Sequence, residues 1–323
     1  MVKLDLKDRK ILYELDRNAR QSNSEIAKKV RLNKNTVNFR INRMEKEKVI
    51  LGYYTVIDNS KLGYFSFRVY LKYFNTKAED EKRIVDWLKD HKKVGVLGKI
   101  ETVYDLAFHV LVKNIYEFDE FWLEFKKKFR EYFWNEKVHV FSSVYHFKRR
   151  YLLKEIQEYQ KEISEYEFIG KAMEKPIKHD TLDLNILKLI SKNARMPVIE
   201  MSKKLKIPER TVAFRIKQLE KNKIILGYRV NLNLEKIGYE YYKINIILND
   251  FQKYGELLNF AKPHVNIIYI DRTLTELDFE IDVEIENRKE LLKLLDEIKI
   301  SFNVRDMELL LYKEYYKIEL VPQ

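Results

Sequence analysis

The sequence predicts an α+β protein in which one two-domain unit occurs twice in tandem, and three observations predict this. Residues 4–64 align without a gap with residues 179–239, and roughly 25 of the 61 aligned positions are identical, which indicates an internal repeat. Each repeat has the pattern of short helices that end in a strand-like segment. After each repeat comes a block in which apolar and polar residues alternate with the period of β-strands.

Each repeat has the pattern of three helices and a wing. In the first repeat, the stretch DRKILYELDRNA (8–19) places its apolar residues on one face of a helix. Ser24 is the predicted N-cap of a second helix, and a third helix is predicted from Asn35 to about Glu47. In VILGYYTVID (49–58), Gly52 is the predicted turn of a hairpin. Two short helices across a tight turn, followed by a hairpin, are typical of a winged helix-turn-helix.

The block after each repeat has the order βαββαβ, which predicts a ferredoxin-like sandwich. The strand-like alternation is clear in SFRVYLKYF (66–74) and in FEIDVEIE (279–286). The fold class is therefore two winged helix-turn-helix domains and two ferredoxin-like domains in tandem. The predicted boundaries are a winged domain at 1–64, a βαββαβ domain at 65–150, a charged helical linker at 151–178, a second winged domain at 179–239 and a second βαββαβ domain at 240–323.

Bulk composition favours a cytoplasmic protein with an anionic partner. The 323 residues carry a formal net charge of +12, and the pI is about 9.3, a balance typical of proteins that bind polyanions. The absence of cysteine excludes disulfides, thiol chemistry and Cys-ligated zinc. No apolar run reaches the roughly 18 residues of a membrane span. The six histidines are isolated in the sequence, so neither a metal site nor a cofactor is expected.

The charge is divided unevenly along the chain. Each winged repeat carries about +7, the first β-rich block about +5, the linker about −1 and the last block about −6. The two basic repeats suit a polyanion. The acidic last block is a poor surface for DNA and a better one for a protein or a cation.

Several segments of the first repeat together carry a family resemblance. They are LDLKDRKILYELDRNAR, EIAKKV, NTVNFRINRMEKEKVILGYY and VIDNSKLGY. They resemble the Lrp/AsnC transcription regulators, in which one winged helix-turn-helix precedes one βαββαβ effector domain, and the chain resembles two such members fused head to tail. The resemblance implies sequence-specific binding of double-stranded DNA, assembly through the β-rich domains, and often a small effector at their interface.

The third helix of each repeat has a polar face opposite its apolar one. Asn, Gln, Arg and Lys side chains offer the donors and acceptors that read base edges in the major groove, and lysines of the preceding helix are expected at the phosphates. The predicted DNA-binding residues are Lys28, Lys29, Asn35, Asn38, Phe39, Arg40, Asn42 and Arg43 in the first repeat, and Lys203, Lys204, Arg210, Phe214, Arg215, Lys217 and Gln218 in the second. Because the outward letters differ between the repeats, we expect two unlike half-sites.

Two pairs of these residues leave alternatives open. Phe39 and Phe214 either contact thymine methyl groups or pack on the wing or the first helix. Arg40 and Arg215 either contact phosphates or form internal salt bridges, for which the acids at 45 and 220 are the expected partners.

A turn in each β-rich block is the candidate effector site. Family members often carry a Thr-Gly-x-Tyr-Asp-like turn there, and the matching stretches are ETVYD (101–105) and LTELD (274–278). Thr102 and Thr275 stand where the glycine would be, and Asp105 and Asp278 are kept. A Cβ at the glycine position would crowd the approach of a bound amino acid to the backbone. We therefore favour the alternative in which the two aspartates cap or bridge the strand start.

The predicted function is that of a DNA-binding transcription regulator rather than an enzyme, with two alternatives. Siroheme decarboxylases also resemble Lrp/AsnC proteins, but their usual double arginine and His-Asn-Tyr-x-Arg run are absent from VILGYY and GKIETVYDLAF. The other alternative is a protein-interaction or effector-sensing module that does not bind DNA.

The linker also predicts how the chain assembles. A tether of about 28 residues favours packing of the two β-rich blocks on each other within one chain, as a pseudo-dimer. A homo-oligomer, such as a dimer of two chains with four winged domains, is the rival arrangement. The acidic last block is the expected contact for a protein of the transcription machinery.

Overall fold

The computed structural model describes residues 2–153, 168–171 and 175–321, and its element order confirms the predicted fold class. The helices are α1 (Leu6–Arg17), α2 (Asn23–Val30), α3 (Lys34–Lys46), α4 (Ala78–Asp90), α5 (Ile115–Phe129), α6 (Thr181–Lys192), α7 (Val198–Leu205), α8 (Glu209–Lys221), α9 (Leu234–Ile237), α10 (Tyr254–Ala261) and α11 (Arg288–Ser301). The strands are β1 (Ile50–Ile57), β2 (Phe65–Tyr73), β3 (Val94–Thr102), β4 (Leu106–Val112), β5 (Phe133–His146), β6 (Phe168–Lys171), β7 (Ile225–Leu232), β8 (Glu240–Leu248), β9 (Ile267–Leu274), β10 (Phe279–Ile285) and β11 (Val304–Ile318).

The wing of each head is a single strand, so the hairpin predicted at Gly52 is wrong. We call residues 2–64 head 1 and residues 179–239 head 2. β1 of head 1 pairs antiparallel with β7 of head 2, with Tyr53 opposite Val230. Gly52 lies within β1, next to a shift in the pairing register. A glycine between apolar residues indicates a turn locally, whereas the partner strand here lies far away in the sequence.

The two β-rich blocks close into one barrel. Eight strands follow the ring order β2-β4-β3-β11-β8-β10-β9-β5, and β2 pairs with both β4 and β5. Within each block the strand order is ferredoxin-like, and the seams between blocks are β3 with β11 and β5 with β9. Block 1 (β2 to β5) and block 2 (β8 to β11) thus pack on each other within one chain, as the tether predicted.

Each barrel strand has one face toward helices and one face toward the other block. On the outer face of block 1, α4 and α5 cover buried apolar residues such as Val69 and Phe108. On that of block 2, α10 and α11 cover residues such as Ile281. The alternating acids of FEIDVEIE normally indicate a strand with one face in solvent. Here Glu280 and Glu284 are buried, because Arg68 of the other block lies against Glu280, and Arg149 and Tyr151, which follow β5, lie against Glu284.

The predicted helical linker at 151–178 falls largely outside the described residues, since 154–167 and 172–174 are not among them. Of the part that is described, Phe168–Lys171 is strand β6, paired with the end of β5, and not helix. Tyr151 is buried and stacks on Tyr239 of head 2, with ring centroids 4.3 Å apart. The first linker residues therefore belong to the packed structure, because their apolar side chains find a partner.

No helix in the described part of the chain is long and apolar enough to span a membrane.

Candidate nucleic-acid interface

The third helix of each head is anchored by an apolar face. In head 1, α3 buries Val37, Ile41 and Met44, and α8 buries the equivalent residues of head 2. Asn33 caps α3 by accepting a hydrogen bond of 2.7 Å from the backbone N–H of Thr36. These contacts fix which side of the helix faces outward.

The cap of the preceding helix differs from the prediction. Ser22 caps α2, not Ser24: its hydroxyl accepts from the Glu25 N–H, and the Glu25 carboxylate accepts from the Ser22 N–H. The Ser-x-x-Glu spacing satisfies two backbone donors at once, so it places the start of the helix two residues earlier.

The outward face of α3 is open to solvent. Asn35, Asn38 and Asn42 are exposed, and Phe39 is 68% exposed, while the equivalent Phe214 of head 2 is 57% exposed. The alternative in which these rings pack on the wing or the first helix is therefore wrong. An apolar ring among exposed amides suits contact with a thymine methyl group.

The outward face of α8 in head 2 carries different side chains from that of α3, although the apolar faces of the two helices are equivalent. Arg210 and Lys217 are exposed, and Gln218 is half-buried. By the repeat alignment, Arg210 and Lys217 stand where head 1 has Asn35 and Asn42. Two cations thus replace two amides, which changes the hydrogen-bonding pattern that each head offers.

The arginines of head 1 are held by carboxylates at the start of α1. Arg40 Nη1 lies 2.7 Å from Asp5 Oδ2 and 2.8 Å from Asp8 Oδ1. Arg43 Nη2 lies 2.7 Å from Asp8 Oδ2. Hydrogen bonds to Asp5 and Asp8 raise the pKa of Arg40 above its usual value.

Head 2 repeats this contact, and in neither head is the expected glutamate the partner. Arg215 Nη1 lies 2.9 Å from Asp180 and 3.2 Å from Asp183. Glu45 and Glu220 instead each accept a hydrogen bond of 2.6 Å from a tyrosine hydroxyl of the wing strands. Glu45 and Glu220 are near these arginines along the third helix, whereas the aspartates at the start of the first helix are their partners in space.

The lysines predicted at the phosphates are exposed in both heads. Lys28 and Lys203 lie on equivalent outer positions. Lys29 Nζ lies 2.8 Å from Glu14 Oε2, and Lys204 Nζ lies 3.6 Å from a glutamate of its own helix. Lys29 and Lys204 are therefore already partnered within their heads.

A pair of arginines that the sequence did not single out joins the two heads. Arg20 Nη1 donates to the carbonyl of Ala194 at 2.7 Å, and Arg195 makes the reciprocal contact. Arg195 Nη2 also donates to Asn23 Oδ1 at 2.8 Å, and Asn23 Nδ2 donates to Asn38 Oδ1 at 3.1 Å. Arginine occupies the equivalent position in both repeats, but the sequence pattern alone does not indicate a contact between the heads.

The aspartates of the candidate effector turns bridge neighbouring strands. Asp105 Oδ2 accepts from the backbone N–H of Tyr73 at 2.7 Å. Asp278 Oδ2 accepts from the backbone N–H of Leu248, also at 2.7 Å. Both aspartates thus occupy the bridging role that the sequence offered as the alternative to effector binding.

The threonines of these turns are engaged differently in the two blocks. Thr102 has φ of 98°, a region that favours glycine, and its hydroxyl donates to the carbonyl of Leu309 in block 2. The Thr275 hydroxyl donates to the side chain of Glu276. Only the first block therefore keeps the backbone conformation that a glycine would adopt.

Of the six histidines, His139 is buried and the other five are half-buried. Burial lowers the pKa of His139 to about 4 and that of His146 to about 3. Among the described residues, no group of three or more His, Asp or Glu side chains is placed to hold a metal ion.

A sequence family described as winged helix-turn-helix DNA-binding matches the chain twice, at residues 4–50 and 179–225. The HTH-type transcriptional regulator LrpA of Pyrococcus horikoshii is 47% identical over 60 residues, which are 19% of this chain and 43% of LrpA. The uncharacterized HTH-type transcriptional regulator PH0140 of the same organism is 34% identical over 125 residues, which are 38% of this chain and 77% of PH0140. The chain belongs to the Lrp/AsnC family of transcription regulators. Because both heads match, this Lrp/AsnC chain holds two family units in tandem.

A solved structure shares the whole architecture of this Lrp/AsnC chain. The siroheme decarboxylase NirDL superposes with a TM-score of 0.63 and 12% sequence identity, covering 98% of this chain and 94% of NirDL. At that identity the likeness shows the fold alone.

Proposed function

We propose that this Lrp/AsnC protein is a DNA-binding transcription regulator whose two heads read two unlike half-sites of one operator. One observation carries the proposal: two third helices share an apolar frame and expose different polar residues. Asn42 of head 1 corresponds to Lys217 of head 2, and both are exposed. An asparagine pairs with adenine and a lysine with guanine in the major groove, so the two heads favour different bases.

The heads are also held in a fixed relation, which supports reading of both half-sites together. β1 pairs with β7 along the whole wing, and Arg20 and Arg195 tie each head to the other's backbone. Two recognition helices held at a fixed distance and orientation bind half-sites of one matching spacing. Each head carries about +7, and the exposed Lys28 and Lys203 suit contacts with phosphates.

Substitution at one equivalent pair tests the two-site proposal. After genome-wide binding has identified an operator, Asn42→Ala is expected to make the affinity insensitive to base changes in one half-site, and Lys217→Ala to base changes in the other, because the fixed heads occupy both half-sites together. Each lost base contact is worth about 1–3 kcal/mol of specific affinity. DNase footprinting across a titration of protein, on operators with base changes in one half-site or in the other, measures this dependence.

Two controls accompany this experiment. Lys89→Ala changes an exposed cation on α4, away from the heads, and is expected to leave both footprints unchanged. Lys28→Ala with Lys203→Ala is expected to weaken specific and random DNA alike and to flatten the salt dependence. Loss of base discrimination at both half-sites by Asn42→Ala alone would contradict the separate reading of unlike sites.

Contact of the last block with a transcription-machinery protein is a further part of the proposal. Four carboxylates and one lysine of that block are buried, so half of its excess negative charge of about −6 is buried. The remaining exposed acids form a weaker acidic surface than the sequence indicated. Pull-down of purified basal factors with the full chain, at two salt concentrations, tests this contact.

The likeness to NirDL assigns no activity to this chain, since the curated relatives are named as transcriptional regulators. We expect the purified protein to show no tetrapyrrole absorbance. Coloured protein, or a visible-spectrum change on titration with a siroheme analogue, would favour the decarboxylase alternative.

A further inference from the structure

The interface between the two β blocks contains a buried group of charges. Arg68 of block 1 lies 3.1 Å from Asp271 and 2.9 Å from Glu280, both in block 2. Lys243 of block 2 lies 2.7 Å from Asp271 and 3.2 Å from Asp282. We call these five residues the inner charge cluster. Each of their side chains is at most 7% exposed, so the charges depend on one another for stabilisation.

The two blocks contribute unequally to this cluster. Arg68 and Lys243 occupy equivalent positions, since they are separated by the offset of the repeat and lie in the first strand of each block. Their cross-strand neighbours differ. Arg68 lies opposite His109 and His139, whereas Lys243 lies opposite Asp282. Burial and the nearby Arg68 lower the pKa of His139 to about 4, so it is neutral and adds no charge.

Because the carboxylates of the cluster all come from block 2, a pair of unlike blocks is more favourable than a pair of like blocks. None of the described residues of block 1 supplies a buried carboxylate, whereas block 2 supplies three to the cluster. Two copies of block 1 would bury two arginines without a carboxylate. Two copies of block 2 would bury two lysines among six carboxylates. In the mixed pair, two cations face three carboxylates, and unpaired buried charge is strongly unfavourable.

We propose that the inner charge cluster makes block 1 and block 2 specific partners, so that each pairs with the other and not with a second copy of itself. The partner that this surface fits is the opposite half of the same sequence. The cluster therefore determines which chains can share a barrel, a property that does not depend on whether the heads bind DNA.

An exchange experiment on the cleaved full chain tests the proposal. A protease site is introduced at residues 160–165, and the folded chain is cut into two halves. The halves are unfolded in urea and refolded with isotope-labelled second half added in threefold excess. Native mass spectrometry is expected to show complexes of one first half and one second half, with the surplus second half unpaired. Folded dimers of two second halves would overturn the proposal.

A second measurement keeps the chain intact and needs no refolding of halves. Arg68→Met and Glu280→Gln are each expected to lower Tm by several degrees, and together by clearly less than the sum, because the double variant removes both charges. The control is Lys137→Met, at an exposed ion pair with Glu276 that also joins the blocks. It is expected to change Tm by at most about a degree. Additive losses for Arg68 and Glu280, or an equal loss at Lys137, would contradict the proposal.

Discussion

At the scale of single residues, the balance between burial and neighbouring cations determines which carboxyl group of the inner charge cluster holds a proton. Burial raises the pKa of Asp282 to about 7. Burial acts in the same direction on Asp271, but Lys243 and Arg68 outweigh it and hold the pKa of Asp271 below its usual value. A cluster with two cations and three carboxylates can therefore approach neutrality by protonation of one group.

The stability of the barrel should therefore depend on pH through Asp282. Its folded-state pKa lies above the usual 3.8, so its stabilising contribution is complete below about pH 4 and is lost as pH rises through 7. The Tm of Asp282→Asn minus the Tm of the unchanged protein should therefore increase by several degrees as the pH is raised from 5 to 8. Thermal unfolding followed by circular dichroism at each pH measures this.

Comparison at each pH cancels the opposite contribution of the buried histidines, whose pKa values are lowered. A Tm difference between variant and unchanged protein that stays constant from pH 5 to pH 8 would mean that Asp282 does not titrate in this range. The charged groups that face Asp282 are Lys243, Asp271 and Arg68.

At the scale of elements, the carboxylates that begin the first helix of each head also hold its third helix. Asp5 and Asp8 form a capping box on α1, and Asp180 and Asp183 form the same box on α6. Asp180 also lies 2.9 Å from an arginine of α8. The same aspartates therefore cap the first helix of each head and hold its third helix in position.

Removal of one cap should weaken the head measurably. Asp180→Ala removes the N-cap of α6 and one ion-pair partner of Arg215, and should cost about 1 kcal/mol of unfolding free energy. The backbone N–H of Asp183 holds the pKa of Asp180 below its usual range, so the contribution is present at neutral pH and is lost in acid. Urea unfolding at pH 7 and pH 3 measures both effects. Lys34→Ala, at an exposed position, is the control, and an equal loss there would refute the role of the cap.

At the scale of the whole molecule, one buried cluster joins both heads to the barrel. Arg149 Nη1 lies 2.7 Å from Asp16 of head 1, and Arg149 Nε lies 2.7 Å from Glu284 of the barrel. Arg229 of head 2 lies 2.8 Å from Asp16. Both heads are thus connected to the barrel through groups that are themselves buried.

This packing predicts that the chain is complete as a monomer with two heads. Static light scattering at micromolar concentration should give a mass near 39.3 kDa, because both barrel seams and the wing pairing are already formed within one chain. A mass of twice that value would favour the rival dimer with four heads.

The sequence by itself determined the tandem repeat, the fold class and the outward residues of the reading helices. Each of these depends on local periodicity: Val37, Ile41 and Met44 fall on one face of a helix, so Asn38 and Asn42 fall on the other. The exposed polar face could be predicted because helix geometry alone places it. The exact domain boundaries, and the roles of single residues at DNA, stay predictions.

Only the tertiary structure decided which distant groups meet. It paired β1 with β7 where Gly52 had indicated a hairpin, and it placed Arg40 and Arg215 on aspartates of the first helices. It also buried the acids of FEIDVEIE, because the face that alternation assigns to solvent is covered by the other block and by the residues that follow β5. The physical reason is common to all three. Periodicity along the chain shows that a face is polar, but whether water, another strand or an opposite charge covers it depends on segments outside the local pattern.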